Sequence, residues 1–261
     1  MSRHRRLIVR DLSLIIGASL LIFLGALSIM SGRLENVLVG RRLGGRLREF
    51  AEREIRSEGL IVSKGVITES IDTIVRRLEE SPLTEVPAIT VIVVRSELVN
   101  AMTLPGGLIV VYTGLIKELE GADEFAAILA HEIGHVAHND PIRQLIRNAG
   151  LGVVTLLVGG GEVLIERLIR EAIGLSYARR YELRADEYAI TIFDQSGLDP
   201  GALGRALKQI KSSDPGDVSR AARYLDPHED IDERIARSLN RSQPKVYDTI
   251  DVSWEEVQSG Y

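Results

Sequence analysis

The chain has 261 residues, of which 45% are hydrophobic and 26% charged, and its net charge at pH 7 is −5. This length suits one large domain or two small ones, and the acidic balance gives no sign of a nucleic-acid partner. The absence of cysteine excludes disulfides, thiolate metal sites and cysteine nucleophiles, so a metal site must use histidine and carboxylate ligands.

The first predicted element is an uncharged, apolar run at residues 12–30, preceded by several arginines. As a helix it would be about 28 Å long, enough to cross the core of a bilayer. A basic start is also typical of a secretory signal, but this run exceeds the usual length of a cleaved signal. We therefore expect an uncleaved single-pass anchor. The flanking positive charges are balanced, so the short N-terminal tail decides the orientation, which favours an extracytoplasmic catalytic domain.

Helices and strands then follow in the middle of the chain. Residues 33–58 are rich in Arg and Glu and predict an amphipathic helix leaving the membrane, and residues 66–80 predict a second helix. Residues 88–95 are short and β-branched, which favours a strand. A hairpin is expected where the Pro105-Gly106-Gly107 turn leads into the strand Leu108–Tyr112.

The most informative segment is His131-Glu132-Ile133-Gly134-His135. In a helix, positions i and i+4 lie on one face, so both imidazoles can reach one zinc ion. The glutamate beside the first histidine can then act as general base toward the attacking water. His138 follows too far along the helix axis to join the same site, and we interpret it as a helix-end residue. The apolar run at 149–158 is too short to span a membrane and predicts core packing.

A further helix is predicted over residues 175–194, closed by Gly197. Glu182 and Asp186 are spaced i, i+4 on it, a pattern that alone indicates a solvated, salt-bridged surface. A catalytic zinc held by two histidines nevertheless needs a third protein ligand and an open position. A carboxylate is the remaining choice, and the residues alone leave five open: Glu162, Glu166, Glu171, Glu182 and Glu187.

Four segments in this order resemble one family: NAMTLPGGLIVVYTGLI, AHEIGHVAHND, LSYARRYELRADEYA and HEDIDERIA. The family is that of the HtpX- and CaaX-prenyl-endopeptidase-like zinc metallopeptidases, of the gluzincin type. The resemblance runs from about residue 91 to residue 239. It implies an α+β, mainly helical, zincin-like domain with a small β-sheet and an HExxH helix. We therefore divide the chain into an anchor at 1–32, a helical stalk with N-terminal helices at 33–85 and a metallopeptidase domain at 86–261.

The resemblance also implies residue roles. Glu182 matches the third zinc ligand beside His131 and His135, and Asp186 matches a carboxylate that orients a ligand histidine. His228 and Arg234 match a pair that stabilises the oxyanion, with Glu132 as the base. The segment at 100–107 resembles a substrate-side edge strand, which can bind an extended peptide through its main chain. The substrate-binding residues expected there are Asn100, Ala101, Met102, Pro105 and Gly106.

These expectations define a membrane-anchored zinc endopeptidase with one Zn²⁺ per chain. The helices that enclose the membrane chamber of prenyl endopeptidases are missing, which favours quality control of unfolded or membrane proteins over prenyl substrates. The expected partners are protein or peptide substrates and the lipid bilayer. One alternative is a membrane-tethered chaperone or adaptor that binds clients with little proteolysis, although Glu132 and the ligands are all present. Another is a zinc hydrolase of non-peptide substrates, which would need no edge strand.

Overall fold

A computed structural model describes residues 40–57, 60–81, 88–149, 177–212 and 231–260. This part of the chain is mainly helical with one small sheet, as the sequence predicts. The described elements, in chain order, are α1 (Gly40–Ser57), β1 (Ile61–Val62), α2 (Val66–Glu79), β2 (Thr90–Val94), β3 (Ala101–Leu104), β4 (Leu108–Tyr112), α3 (Thr113–Glu118), α4 (Ala122–Ala137), α5 (Asp140–Ala149), α6 (Arg179–Gln195), α7 (Ala202–Ser212), α8 (Ile231–Leu239) and α9 (Trp254–Ser259).

The four strands form one sheet in the order β1-β2-β4-β3. Strands β2 and β4 pair in parallel, whereas β3 and β4 form an antiparallel hairpin. The hairpin turns at residues 105–107, where Gly106 and Gly107 adopt φ values of 85° and 80° that side chains disfavour. Gly106 also contacts Gly44 of α1 so closely that a Cβ would collide with the helix. Strand β3 is therefore an edge strand whose turn is held by α1.

Each face of the sheet has its own hydrophobic core, because side chains alternate along a strand. On one face, Leu108 and Val110 pack with Leu47 of α1 and Ile142 of α5. On the other face, β4 contributes to a larger core that includes residues of α2, α4, α6 and α7. The sheet thus lies between two helical layers, and the helix with the HEIGH segment, α4, belongs to the larger one.

Helices α4 and α6 pack closely against each other. A Cβ at Gly134 of α4 would lie 3.0 Å from Cα and 3.1 Å from the carbonyl oxygen of Ala185 in α6. Both of these neighbours are main-chain atoms, so they cannot turn aside as a flexible side chain would. Gly134 therefore permits the approach that brings the HEIGH segment beside Glu182 and Asp186.

The helices predicted over 66–80 and around the HEIGH segment are confirmed, and His138 lies at the C-terminal cap of α4 as expected. The helix predicted over 175–194 begins at Arg179, since Tyr177 and Ala178 are not helical. Gly197 follows α6 with a φ of 75°, as predicted for a helix-closing glycine. The helix predicted over 33–58 is described from Gly40 onward. Both α1 and α2 pack onto the sheet, and the division of the chain at residue 85 stays a prediction.

The expected anchor at 12–30 lies outside the described residues, as does almost all of the apolar run at 149–158. Within the ranges that the structure describes, no helix combines the length and apolar character needed to cross a membrane.

We predict that Gly134→Ala lowers the free energy of unfolding by about 1–3 kcal/mol, because the added methyl group overpacks the contact between α4 and α6. Gly45→Ala is the matched control, since a Cβ at this helical position meets no atom within 4 Å. This control should leave stability unchanged or raise it by about 0.5–1 kcal/mol. Denaturant unfolding of both variants is the measurement, and equal midpoints for Gly134→Ala and wild type would contradict the packing argument.

Candidate metal centre and active site

The two histidines of the HEIGH segment and Glu182 of α6 meet in the interior, where all three side chains are fully buried. His131 Nε2 lies 3.1 Å from His135 Nε2 and 3.5 Å from Glu182 Oε2. His135 Nε2 lies 3.4 Å from Glu182 Oε1. We call this arrangement of His131, His135 and Glu182 the metal triangle.

The dimensions of the metal triangle fit zinc. Four-coordinate zinc holds nitrogen and oxygen ligands at about 2.0–2.1 Å, so neighbouring ligand atoms of a tetrahedron lie roughly 3.3 Å apart. The observed separations are 3.1, 3.4 and 3.5 Å. Two imidazole nitrogens with facing lone pairs repel at such a distance, so a proton or a metal ion lies between them. The donor set and its spacing therefore suit a divalent metal ion.

A carboxylate contacts His131 on the side of its ring that faces away from the metal triangle. His131 Nδ1 lies 2.9 Å from Asp186 Oδ1, which fixes the proton on Nδ1 and directs Nε2 into the metal triangle. Arg234 of α8 donates to both oxygens of Asp186, at 2.7 and 2.8 Å. Its Nη1 also lies 3.1 Å from Glu182 Oε2. Arg234 is 1% exposed, so its guanidinium lies in the interior beside these two carboxylates.

His135 has a corresponding partner that the sequence analysis missed. Its Nδ1 lies 3.0 Å from Oδ2 of Asp140, and Oδ1 of Asp140 accepts a hydrogen bond from Arg184. Asp140 follows the HEIGH helix closely in the chain, which is a usable signal. The sharp turn that returns it to His135, with Asn139 at a φ of 54°, was not visible in the residue pattern.

The pKa values show that this interior favours positive charge. Burial alone would lower the pKa of His135, but the hydrogen bonds with Asp140 and Glu182 outweigh it and raise the pKa to about 10. The pKa of His131 is raised in the same way, with Asp186 and Glu182 outweighing burial. Burial would raise the pKa of Asp186, but the neighbouring Arg234 and His131 lower it to about 2. A field that stabilises imidazolium also stabilises a bound cation.

Glu132 is fully buried beside the metal triangle and is connected to the edge strand. Its Oε2 accepts a hydrogen bond of 2.7 Å from the hydroxyl of Thr103 in β3. Its Oε1 has no hydrogen-bond partner within the described ranges. One carboxylate oxygen is thus fixed, and the other is available for a proton.

Tyr177 joins the same edge strand to the second histidine. Its ring stacks on His135 with 4.2 Å between the centroids, and its hydroxyl donates to the carbonyl oxygen of Thr103 at 3.2 Å. Neither Tyr177 nor Thr103 was a predicted site residue. Both lie inside segments that carry the family resemblance, but their contacts run between elements far apart in the chain.

Some of the remaining predicted site residues lie within the ranges that the structure describes, and others lie outside them. Asn100 immediately precedes β3, Ala101 and Met102 lie within it, and Pro105 and Gly106 lie in the turn that follows. Glu187 is half-exposed and pairs with Arg241 at 3.3 Å. His228 and three of the competing carboxylates, Glu162, Glu166 and Glu171, lie outside the described residues.

Comparison with known proteins matches this chain to one protein family and to several relatives. The sequence model of peptidase family M48 matches residues 67–242, well over half of the chain, including the whole metal triangle. The beta-barrel assembly-enhancing protease of Yersinia pestis is 24% identical over 208 residues, which cover 74% of this chain and 43% of the relative. The mitochondrial metalloendopeptidase OMA1 of Arabidopsis thaliana is 26% identical over 172 residues, which cover 65% of this chain and 34% of the relative.

A shorter relative shows the same level of similarity. Metalloprotease LoiP of Escherichia coli (strain K12) is 25% identical over 151 residues, which cover 55% of this chain and 58% of the relative. The chain therefore spans less than half the length of the first two relatives and somewhat more than half of this one.

We predict that the purified protein binds one zinc ion per chain and that replacing both His131 and His135 by Ala abolishes this binding, because two of three protein ligands are lost. His138→Ala is the matched control, since this histidine caps α4 and its Nδ1 contacts the carbonyl oxygen of Gly134 at 2.7 Å. Elemental analysis gives the stoichiometry. Full occupancy in the double variant would rule out the metal triangle as the site.

Proposed function

The chain belongs to peptidase family M48, and from this we propose that it is a zinc-dependent endopeptidase that hydrolyses peptide bonds of protein substrates. The observation that carries the proposal is the metal triangle of His131, His135 and Glu182, buried beside a glutamate that is not one of its ligands. Two histidines and a glutamate as ligands, with a separate glutamate as base, form the donor set of HExxH peptidases.

In the proposed reaction, Glu132 moves the protons. When bound, zinc supplies a Lewis acid for the scissile carbonyl and acidifies water. Oε1 of Glu132 takes the proton of the attacking water and later delivers it to the leaving amine. The hydroxyl of Thr103 holds Oε2, so the carboxylate keeps one orientation during both transfers.

We further propose that β3 binds the substrate as an added strand. Tyr112 N donates to Asn100 O, and hydrogen-bonded pairs alternate along an antiparallel ladder. Ala101 and Thr103 therefore direct their main-chain groups away from β4, toward the side of β3 that pairs with no other described strand. A peptide pairing there gains main-chain hydrogen bonds and must displace the Tyr177 hydroxyl from the carbonyl of Thr103. Asn100, Met102, Pro105 and Gly106 stay proposed as neighbours of this peptide.

We predict that Glu132→Gln retains zinc and loses most of its turnover, because an amide cannot accept the proton. Glu187→Gln is the matched control, since it makes the same change on α6 at a half-exposed site that pairs with Arg241. The measurement is the rate of casein cleavage at known zinc content. Undiminished cleavage by Glu132→Gln would exclude this base, and a wild-type protein that binds clients without cleaving them would favour the chaperone alternative.

The oxyanion role of Arg234 and His228 stays a prediction from the family resemblance. For Arg234, the contacts with Asp186 and Glu182 favour a second role, which is to hold these two carboxylates in place. The two roles have different signatures. An oxyanion donor changes turnover by about two to three orders of magnitude, whereas a residue that supports a ligand changes metal affinity by about 10–100-fold.

We predict that Arg234→Ala weakens zinc binding by about 10–100-fold, because Asp186 and Glu182 lose their buried counter-charge. Arg237→Ala on the same helix is the control, since Arg237 is partly exposed and pairs with Glu233. Zinc affinity comes from competition with a chelator, and turnover is measured at saturating zinc. Unchanged affinity combined with a hundredfold loss of turnover would instead assign Arg234 to the oxyanion.

We propose that the protein works at a membrane, in the quality control of unfolded or membrane proteins. The proposal is supported by the apolar run at 12–30 and by relatives named as a beta-barrel assembly-enhancing protease and a mitochondrial metalloendopeptidase. The proposed topology is one N-terminal span with an extracytoplasmic catalytic domain.

We predict that the full-length protein remains in the membrane fraction through an alkaline carbonate wash, because an uncharged run of this length inserts stably. A variant lacking residues 1–32 is the control and should appear in the supernatant. Added protease should digest the catalytic domain once it has access to the outer side of the membrane. Digestion only after the cytoplasmic side is exposed would reverse the orientation and leave the anchor intact.

A further inference from the structure

We propose that Asp140 and Arg184 are positioning residues for the metal, acting through His135. The inference rests on the proposed zinc site and adds two residues to it. It follows from a symmetry in the contacts behind the two histidines. His131 is backed by Asp186 and then by Arg234, and His135 is backed by Asp140 and then by an arginine of α6.

The hydrogen bond to Asp140 determines which nitrogen of His135 faces the metal triangle. A neutral imidazole carries one proton, and a carboxylate at Nδ1 holds that proton there. With Asp140 Oδ2 at 3.0 Å from Nδ1, the lone pair of Nε2 points toward Glu182 and His131. Both groups of this contact are fully buried, so in the intact protein Asp140, and not water, is the hydrogen-bond partner of Nδ1.

Arg184 in turn orients the carboxylate. It donates to Oδ1 of Asp140 and leaves Oδ2 for the histidine. Its guanidinium also stacks 5.2 Å from the centroid of the Tyr181 ring, which is 5% exposed. The arginine is therefore held by an aromatic face on one side and by the buried carboxylate on the other.

The simpler explanation of Asp140 is that it serves the start of helix α5, of which it is the first residue. The first intrahelical bond of α5 runs from Arg143 N to Asn139 O, which places Asn139 at the capping position. The Asp140 carboxylate instead bonds to His135 and Arg184. A negative charge in the first turn would still favour the helix dipole, so the test must separate the two roles.

The experiment compares zinc affinity, by chelator competition, with the melting temperature of the metal-free protein in full-length variants. Asp140→Ser should weaken zinc binding by about 10–100-fold, as loss of a ligand-orienting partner does. Asp140→Asn retains an oxygen for Nδ1–H without the charge, so its loss should be smaller. If Asp140 serves only the helix dipole, Asp140→Ser and Asp140→Asn should lower the melting temperature equally. Zinc affinity should then be unchanged in the folded variants.

Arg184→Gln should weaken zinc binding several-fold, and Arg180→Gln should not. Arg180 lies on the same helix and contacts the same Tyr181 ring at 4.9 Å, but its guanidinium donates to the Tyr181 hydroxyl and Arg184 is the arginine that donates to Asp140. Cobalt substitution gives a second readout, since a displaced His135 alters the visible absorption of the bound ion. If Asp140→Ser fails to fold, the two arginine variants decide the question.

Zinc affinities within threefold of wild type for Asp140→Ser, or equal affinities for Arg184→Gln and Arg180→Gln, would overturn the inference. Failure of the proposed function looks different, because wild type itself would then bind no zinc or bind it without cleaving casein.

Discussion

Pairing of buried charge is the constraint on which the rest of this molecule depends. Seven ionisable side chains at the site are each at most 1% exposed, and they are His131, Glu132, His135, Asp140, Glu182, Asp186 and Arg234. An unpaired charge removed from water costs several kcal/mol, so these groups need one another. Because they come from α4, α5, α6 and α8, the packing of four helices and the pairing of their charges cannot be separated.

The hydrophobic layers place these charges rather than merely surrounding them. Gly134 lets α4 approach α6 closely enough for Glu182 to reach the histidines. The sheet carries Thr103 to the other side of α4, where its hydroxyl meets Glu132. Helix α1 contacts the hairpin turn at Gly106, so the edge strand is supported from the face opposite the site.

The sequence predicted best what depends on local spacing. The i, i+4 histidines and the helical periodicity around them predicted α4, and a short β-branched segment followed by a glycine turn predicted the sheet segments. The third ligand was left open by the residues, because Glu182 comes from another helix and its distance from His135 is a property of packing. Only the family resemblance singled it out.

The supporting residues were harder to predict for the same reason. Asp140, Thr103 and Tyr177 act through single contacts between elements, which leave no periodic trace in the chain. Arg234 has the neighbours of a surface helix residue, yet it is buried, because Asp186 and Glu182 require a counter-charge. A residue pattern indicates the average environment of a helix. It does not show that one particular arginine is buried to neutralise two carboxylates of another helix.

Complete burial of the three ligand side chains also has a kinetic consequence. The ion leaves only after it separates from all three buried side chains, so its exchange depends on brief movements of α4 and α6, the helices that carry them. With excess chelator, the rate of metal loss would then become independent of chelator concentration and equal to the opening rate. The rate of metal loss would thus measure a motion of the protein interior, much as amide hydrogen exchange measures opening of the backbone.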